Sequence, residues 1–179
     1  DSRLLQGLVA ESKNRAIAWN PREKTTKNGY QSHSDLFNNP KGFLADLSKI
    51  IWSSIEVYRS ELSSQNCDFI RMFPKEGGLI GWFVRLKKEG HQTEHIHPDG
   101  WLSGVIYLKV PKVRNREEGS IEFGLWGYDY PILNENYPRK RIHPKDGDLV
   151  LFPSSLFHRT IPFHCDDERV CIAFDLIPI

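Results

Sequence analysis

At 179 residues, with 39% hydrophobic and 26% charged side chains, the chain is long enough to bury one core and short for two. Its 24 Lys+Arg against 23 Asp+Glu leave a formal charge of +1, which gives no reason to expect nucleic acid or an anionic membrane as the main partner. No apolar run approaches the ~20 residues that cross a bilayer, and Cys67, Cys165 and Cys171 are odd in number and scattered, which indicates neither a disulfide framework nor a Cys-x-x-Cys knuckle. These thiols suit a reducing, cytoplasmic setting, and the start at Asp1 rather than Met reads as a domain excised from a longer chain.

Residues 1–39 are polar and mixed, with turn signals at Asn20-Pro21, Asn28-Gly29 and Asn39-Pro40, and are expected to form an arm over the core. His33 within this arm reads as a surface loop histidine. Over 40–64 the pattern changes: Phe43, Leu44, Leu47, Ile50, Ile51, Ile55, Tyr58 and Leu62 recur every three or four residues, the apolar face of one long covering helix. Asn39 and Pro40 suit its cap and first position.

Residues 68–179 read as a β core of short strands separated by Gly, Pro and charged turns. Ile80, Trp82, Val84 and Leu86 alternate with Gly81, Phe83, Arg85 and Lys87, a strand with one face inward. Further strands are expected up to Val110, at Ser120–Gly124, at Asp148–Phe152 and at Arg169–Leu176. One helix followed by many short strands predicts a mainly β (α+β) domain, a double-sheet jelly roll with helical packing outside. Trp82 and Trp101 are expected as core or lid aromatics, and His143 and His164 as solvated loop histidines.

The chemistry collects in His95-Ile96-His97-Pro98-Asp99. Side chains alternate along an extended chain, so His95 and His97 point one way and Ile96 the other. Two imidazoles ask for a third ligand, and His158 follows the apolar run Leu151-Phe152. Three imidazoles suit iron, zinc, copper or nickel, so ligand type does not choose the metal. Arg169, eleven positions after His158, opens the last strand. A guanidinium in the mouth of a barrel needs a carboxylate, supplied either by Asp166, Asp167 or Glu168 or by a dicarboxylate ligand.

Taken in order, His-x-His, Ser103-Gly104-Val105-Ile106-Tyr107-Leu108, Gly119-Ser120-Ile121-Glu122-Phe123-Gly124, Gly147-Asp148-Leu149-Val150-Leu151-Phe152-Pro153-Ser154, His158-Arg159-Thr160-Ile161-Pro162, then Arg169 and Ala173-Phe174-Asp175-Leu176, the chain resembles the Fe(II)/2-oxoglutarate-dependent oxygenases of bacteria and phages, some of which follow tetratricopeptide repeats. The resemblance spans about residues 80–178. It implies a double-stranded β-helix with Fe(II) held by His95, His97 and His158, and 2-oxoglutarate clamped by Arg169, with Tyr107 and Thr160 as further hydrogen-bonding partners of that co-substrate. It implies a dioxygenase that uses dioxygen to hydroxylate a small-molecule or peptidyl substrate while 2-oxoglutarate is decarboxylated to succinate. Fusion to, or partnership with, repeat domains is part of the same implication.

Most such oxygenases use two histidines and a carboxylate, and His97-Pro98-Asp99 offers a second frame, H-x-D, in which Asp99 replaces His97. Pro98 lacks the N–H of a central strand residue and weighs against that frame. Two other functions compete: a cupin-like metal-dependent isomerase or small-molecule binder, which gives Arg169 no role, and a metal-free β interaction domain.

Overall fold

The computed structural model describes residues 1–15, 17–33, 35–133 and 136–179. Helix α1 (Ser2–Asn14) opens the chain, capped by the Asp1 side chain, which accepts from Arg3 N at 2.8 Å. Strands β1 (Ile17–Trp19) and β2 (Thr26–Ser32) follow, then α2 (Phe43–Glu61) and the single turn α3 (Asp68–Arg71). The rest is β3 (Gly77–Gln92), β4 (Leu102–Lys109), β5 (Ile121–Gly124), β6 (Lys140–Ile142), β7 (Leu149–Pro153), β8 (Phe157–Thr160) and β9 (Arg169–Pro178). No described helix is long and apolar enough to cross a membrane.

The expected arm is therefore regular structure. Leu4, Leu5, Leu8 and Val9 form a stripe on α1, with Leu8 fully buried in the core, while β1 and β2 extend the sheet beside β3. The long helix stands where its periodicity places it, but it starts at Phe43 behind Gly42. Gly42 takes φ +56°, a conformation costly for other residues, and Asn39 and Pro40 lie outside the helix. Leu44, Leu47, Ile51 and Ile55 face inward, whereas Ile50 is 44% exposed.

All pairings are antiparallel. A six-stranded sheet runs β1-β2-β3-β9-β4-β7, and a three-stranded sheet runs β6-β5-β8. The large sheet is covered on both faces. Leu79, Phe83, Leu102, Ile106, Val170, Ile172, Phe174 and Leu176 pack under α1 and α2. Val84, Leu86, Val105, Tyr107, Cys171 and Ala173 face the small sheet's Ile121 and Phe123. Each such side chain contributes about 1.5–3 kcal/mol on burial. Strand β3 thus differs from the half-exposed strand expected: Phe83 is as buried as Val84 because helices cap its other face, and Ile80 is left outside.

Alternation along β9 sends Val170, Ile172, Phe174 and Leu176 to the helices and Arg169, Cys171, Ala173 and Asp175 toward the space between the sheets. Register then fixes neighbours. Ser103 on β4 stands opposite Asp175, and Tyr107 opposite Cys171, one same-face step from Arg169.

Candidate metal and co-substrate site

His95 is held by two backbone hydrogen bonds to His158, His95 N to His158 O at 3.1 Å and His158 N to His95 O at 3.0 Å. His97 is fixed by its own N–H, which donates to Ser154 O at 2.9 Å, and a turn follows as Gly100 N donates back to His97 O at 3.1 Å. The two histidines therefore converge without sharing a regular strand, which begins only at Leu102. Ring centroids lie 5.1 Å apart for His95 and His97, 4.3 Å for His95 and His158, and 5.0 Å for His97 and His158. One nitrogen from each ring falls within 4.8 Å of the others, close enough for one metal ion to reach all three.

The Nδ1 atoms are all engaged. His95 Nδ1 lies 2.7 Å from Thr93 O and His158 Nδ1 3.0 Å from Leu156 O. Carbonyl oxygens only accept, so these Nδ1 atoms carry the proton and Nε2 keeps its lone pair. His97 Nδ1 meets the Asp175 carboxylate at 2.6 Å. Burial, reinforced by the neighbouring His97, lowers His95 to about 4, and burial pushes His158 well below the ordinary range. Both rings are neutral at pH 7, the form that binds metal. Asp99 is exposed in the turn and outside the group, so the H-x-D frame is not brought together.

Arg169 is 1% exposed, and no described acid pairs with it. The three candidates are all taken elsewhere: Asp166 by Lys88 at 3.1 Å, Asp167 by Lys109, and Glu168 by Arg85 at 3.0 Å and by Lys87. The guanidinium lies 4.8 Å from the Tyr107 ring centroid, Nη1 touches Cys171 Sγ at 3.3 Å, and Nε has no hydrogen-bond partner. The Tyr107 hydroxyl is likewise buried without a partner, and burial pushes its pKa up to about 12 against the pull of Arg169. Thr160 is buried and shares the inward face of β8 with His158. Buried polar groups without a partner are rare. The chemistry of this pair, a cation beside a phenol, fits a carboxylate.

A cavity of about 230 Å³ opens on His158 and is walled by Trp126, Ile132, Tyr137 and Phe157, with Glu94, Glu122, Arg139 and Arg159 at its polar side. His33 is exposed and His143 sits near Glu117, both outside the histidine group. Trp82 touches the His97 ring at 5.6 Å between centroids, and Trp101 stacks on Phe69, so both are packing aromatics. Sequence reading missed Asp175, Ser103 and Ser154. The available signal was an acid inside the apolar run Val170–Leu176, on the same alternate face as Arg169.

A family model described as "Putative 2OG-Fe(II) oxygenase" matches residues 81–175, more than half of the chain. Among solved structures, a prolyl-4-hydroxylase of Pseudomonas putida matches with TM-score 0.68 at 15% identity, covering 100% of this chain and 88% of that one. HygX of Streptomyces hygroscopicus with nickel and 2-oxoglutarate bound matches with TM-score 0.68 at 14% identity, covering 99% and 79%. A Trichoplax adhaerens prolyl hydroxylase in complex with a hypoxia-inducible-factor peptide matches with TM-score 0.64 at 16% identity, covering 98% and 77%. The shared feature is the fold, a double-stranded β-helix of two antiparallel sheets. No curated protein matches.

Proposed function

Because the chain belongs to the 2OG-Fe(II) oxygenase family, we propose that it is an Fe(II)- and 2-oxoglutarate-dependent dioxygenase that hydroxylates its substrate. The observation that carries this reading is Arg169, a buried guanidinium with no described protein acid beside it, on the strand that follows the third histidine. A cupin-like isomerase or a metal-free interaction domain leaves that cation without a use.

In this reading His95, His97 and His158 hold the iron through Nε2, Arg169 meets the far carboxylate of 2-oxoglutarate, and Tyr107 and Thr160 donate hydrogen bonds to it. The iron, when bound, supplies activation of dioxygen, one oxygen atom leaving in succinate as 2-oxoglutarate loses carbon dioxide and the other entering a C–H bond of the substrate. The chain's own work is positioning. Oxygen acceptors at each Nδ1–H lock the three rings, the apolar walls of the two sheets exclude water, and Arg169 and Tyr107 fix one end of the co-substrate.

In this reading the cavity beside His158 is the substrate's place. Structural neighbours include one with hygromycin B bound and one with a peptide bound, so the fold serves both classes. The free thiols Cys67, Cys165 and Cys171 suit a cytoplasmic setting. Equilibrium dialysis of the metal-stripped protein against Fe(II) under argon tests the reading: one iron per chain is expected, lost in His95→Ala, His97→Ala and His158→Ala alike. Binding that survives all three replacements contradicts it.

A further inference from the structure

Asp175 is a buried carboxylate, 4% exposed, with no Lys or Arg paired to it among the described residues. Its Oδ1 receives His97 Nδ1 at 2.6 Å and the Ser103 hydroxyl at 2.6 Å, and Ser154 Oγ lies 2.8 Å from Ser103 Oγ. The close approach of the turn helps to seat it: a Cβ on Gly100 would come within 2.6 Å of Ser154 Oγ and 3.2 Å of Asp175 Cβ. Ser103 Oγ also lies 3.1 Å from His97 Nδ1, so His97, Ser103, Ser154 and Asp175 form one buried polar cluster.

His97 Nδ1 at this separation from a carboxylate oxygen must carry hydrogen, since two lone pairs face to face repel. Nε2 is then the nitrogen on the side shared with His95 and His158. The other two rings answer to neutral carbonyls, so the site is asymmetric: one imidazole of three leans on a full negative charge. A carboxylate out of water and away from any basic side chain is costly unless positive charge lies near it.

Resting on the oxygenase reading, we infer that Asp175 is the carboxylate of this metal site, moved behind His97 instead of binding the ion. Where a two-histidine, one-carboxylate site places its acid on the metal, this chain places an imidazole there and couples the acid to it through Nδ1–H. Asp175 is a positioning residue. It fixes the tautomer and angle of His97 and returns through the ring part of the negative charge that three neutral ligands lack.

The test is Co(II) binding to the full chain, followed by its visible ligand-field bands. Asp175→Asn keeps the shape of the side chain and is expected to weaken Co(II) by ~10–100-fold, the usual cost of losing such a support, with the bands shifted. His97→Asp returns the acid to the metal, and in that background Asp175→Asn is expected to cost less than about threefold or to tighten binding, because two carboxylates no longer compete. A role confined to holding the fold would cost the same factor in both backgrounds and would overturn the inference, as would unchanged affinity in Asp175→Asn alone. Wild-type chain that takes no Co(II) at all overturns the oxygenase reading together with it. If Asp175→Asn fails to fold, the zinc-loaded wild type carries the test. The His97 Nδ1–H proton is expected well downfield of those of His95 and His158 in the nuclear magnetic resonance spectrum, and three equivalent shifts would refute the coupling.

Discussion

Tyr107 and Arg169 lie against each other with the guanidinium carbon 4.8 Å from the ring centroid, and each keeps a buried polar atom, the Tyr107 hydroxyl and Arg169 Nε, without a hydrogen-bond partner. An unsatisfied buried pair is a stability cost that a bound carboxylate removes. In the ligand-free protein, Arg169→Leu should therefore be neutral or stabilising. With 2-oxoglutarate present the order reverses. The wild type should gain melting temperature with ligand concentration and the variant should not, its affinity for 2-oxoglutarate falling by about 100-fold or more while metal affinity stays within a few-fold. Scanning calorimetry with and without ligand reads both effects. Equal loss of metal and 2-oxoglutarate would make Arg169 structural.

Removing only the hydroxyl is a milder version of the same experiment. Tyr107→Phe should change the stability of the ligand-free fold by no more than about 1 kcal/mol, since the hydroxyl's one polar neighbour is the Arg169 guanidinium. Binding of 2-oxoglutarate should weaken by roughly 10-fold, the loss of one hydrogen bond to a charged acceptor. Titration calorimetry distinguishes this from an unchanged constant.

Acid should unfold the metal-free protein early. His95 titrates at about 4 in the folded chain against 6.5 when unfolded, and His158 moves in the same direction. Between those two values the unfolded chain holds a proton that the folded chain does not, so stability is full above pH 6.5 and falls as pH drops toward 4. His95 alone should cost roughly 2 kcal/mol at pH 5. Urea midpoints of the chelator-treated protein at pH 7.5 and pH 5 check the sign. A midpoint independent of pH would place the rings in a different environment.

Two pairs of substitutions test the reading of the flanking sequence. Asp99→Ala should keep the metal, because Asp99 is exposed and outside the histidine group, while His158→Ala should abolish binding. Leu8→Ala should cost about 2–5 kcal/mol, as for other fully buried leucines, whereas Ile50→Ala on the outer face of α2 should cost within about 0.5 kcal/mol. A harmless Leu8→Ala would mean that α1 contributes little to the core.

The site was legible where chemistry is dense. What the structure brings together is the three histidines, and two of them spaced by one residue with a third after a strand survive any uncertainty about strand boundaries. The reason they converge was not legible: His97 is set by Ser154 O and a turn, contacts between residues far apart in sequence. Asp175 was hidden for the same reason, since its partner His97 lies 78 residues away and only the β4/β9 register brings Ser103 opposite it. The long helix was readable from its period, but not its start, because φ +56° at Gly42 is a backbone property. Helix α1 is marked in the sequence by one stripe, Leu4, Leu5, Leu8 and Val9, but the turn signals that follow it obscure that period. On β3, alternation identified the strand, yet only the helices packed above decide that Phe83 is buried too.

Everything proposed for this site depends on the three histidines and Arg169 together holding iron and 2-oxoglutarate. Anaerobic addition of Fe(II) and then 2-oxoglutarate to the metal-stripped protein, followed in the visible range, tests it directly. A weak charge-transfer band that grows with 2-oxoglutarate, saturates at one equivalent per iron and requires far more ligand in Arg169→Leu is the predicted result. No band in the wild type, with tight zinc binding in its place, would contradict it.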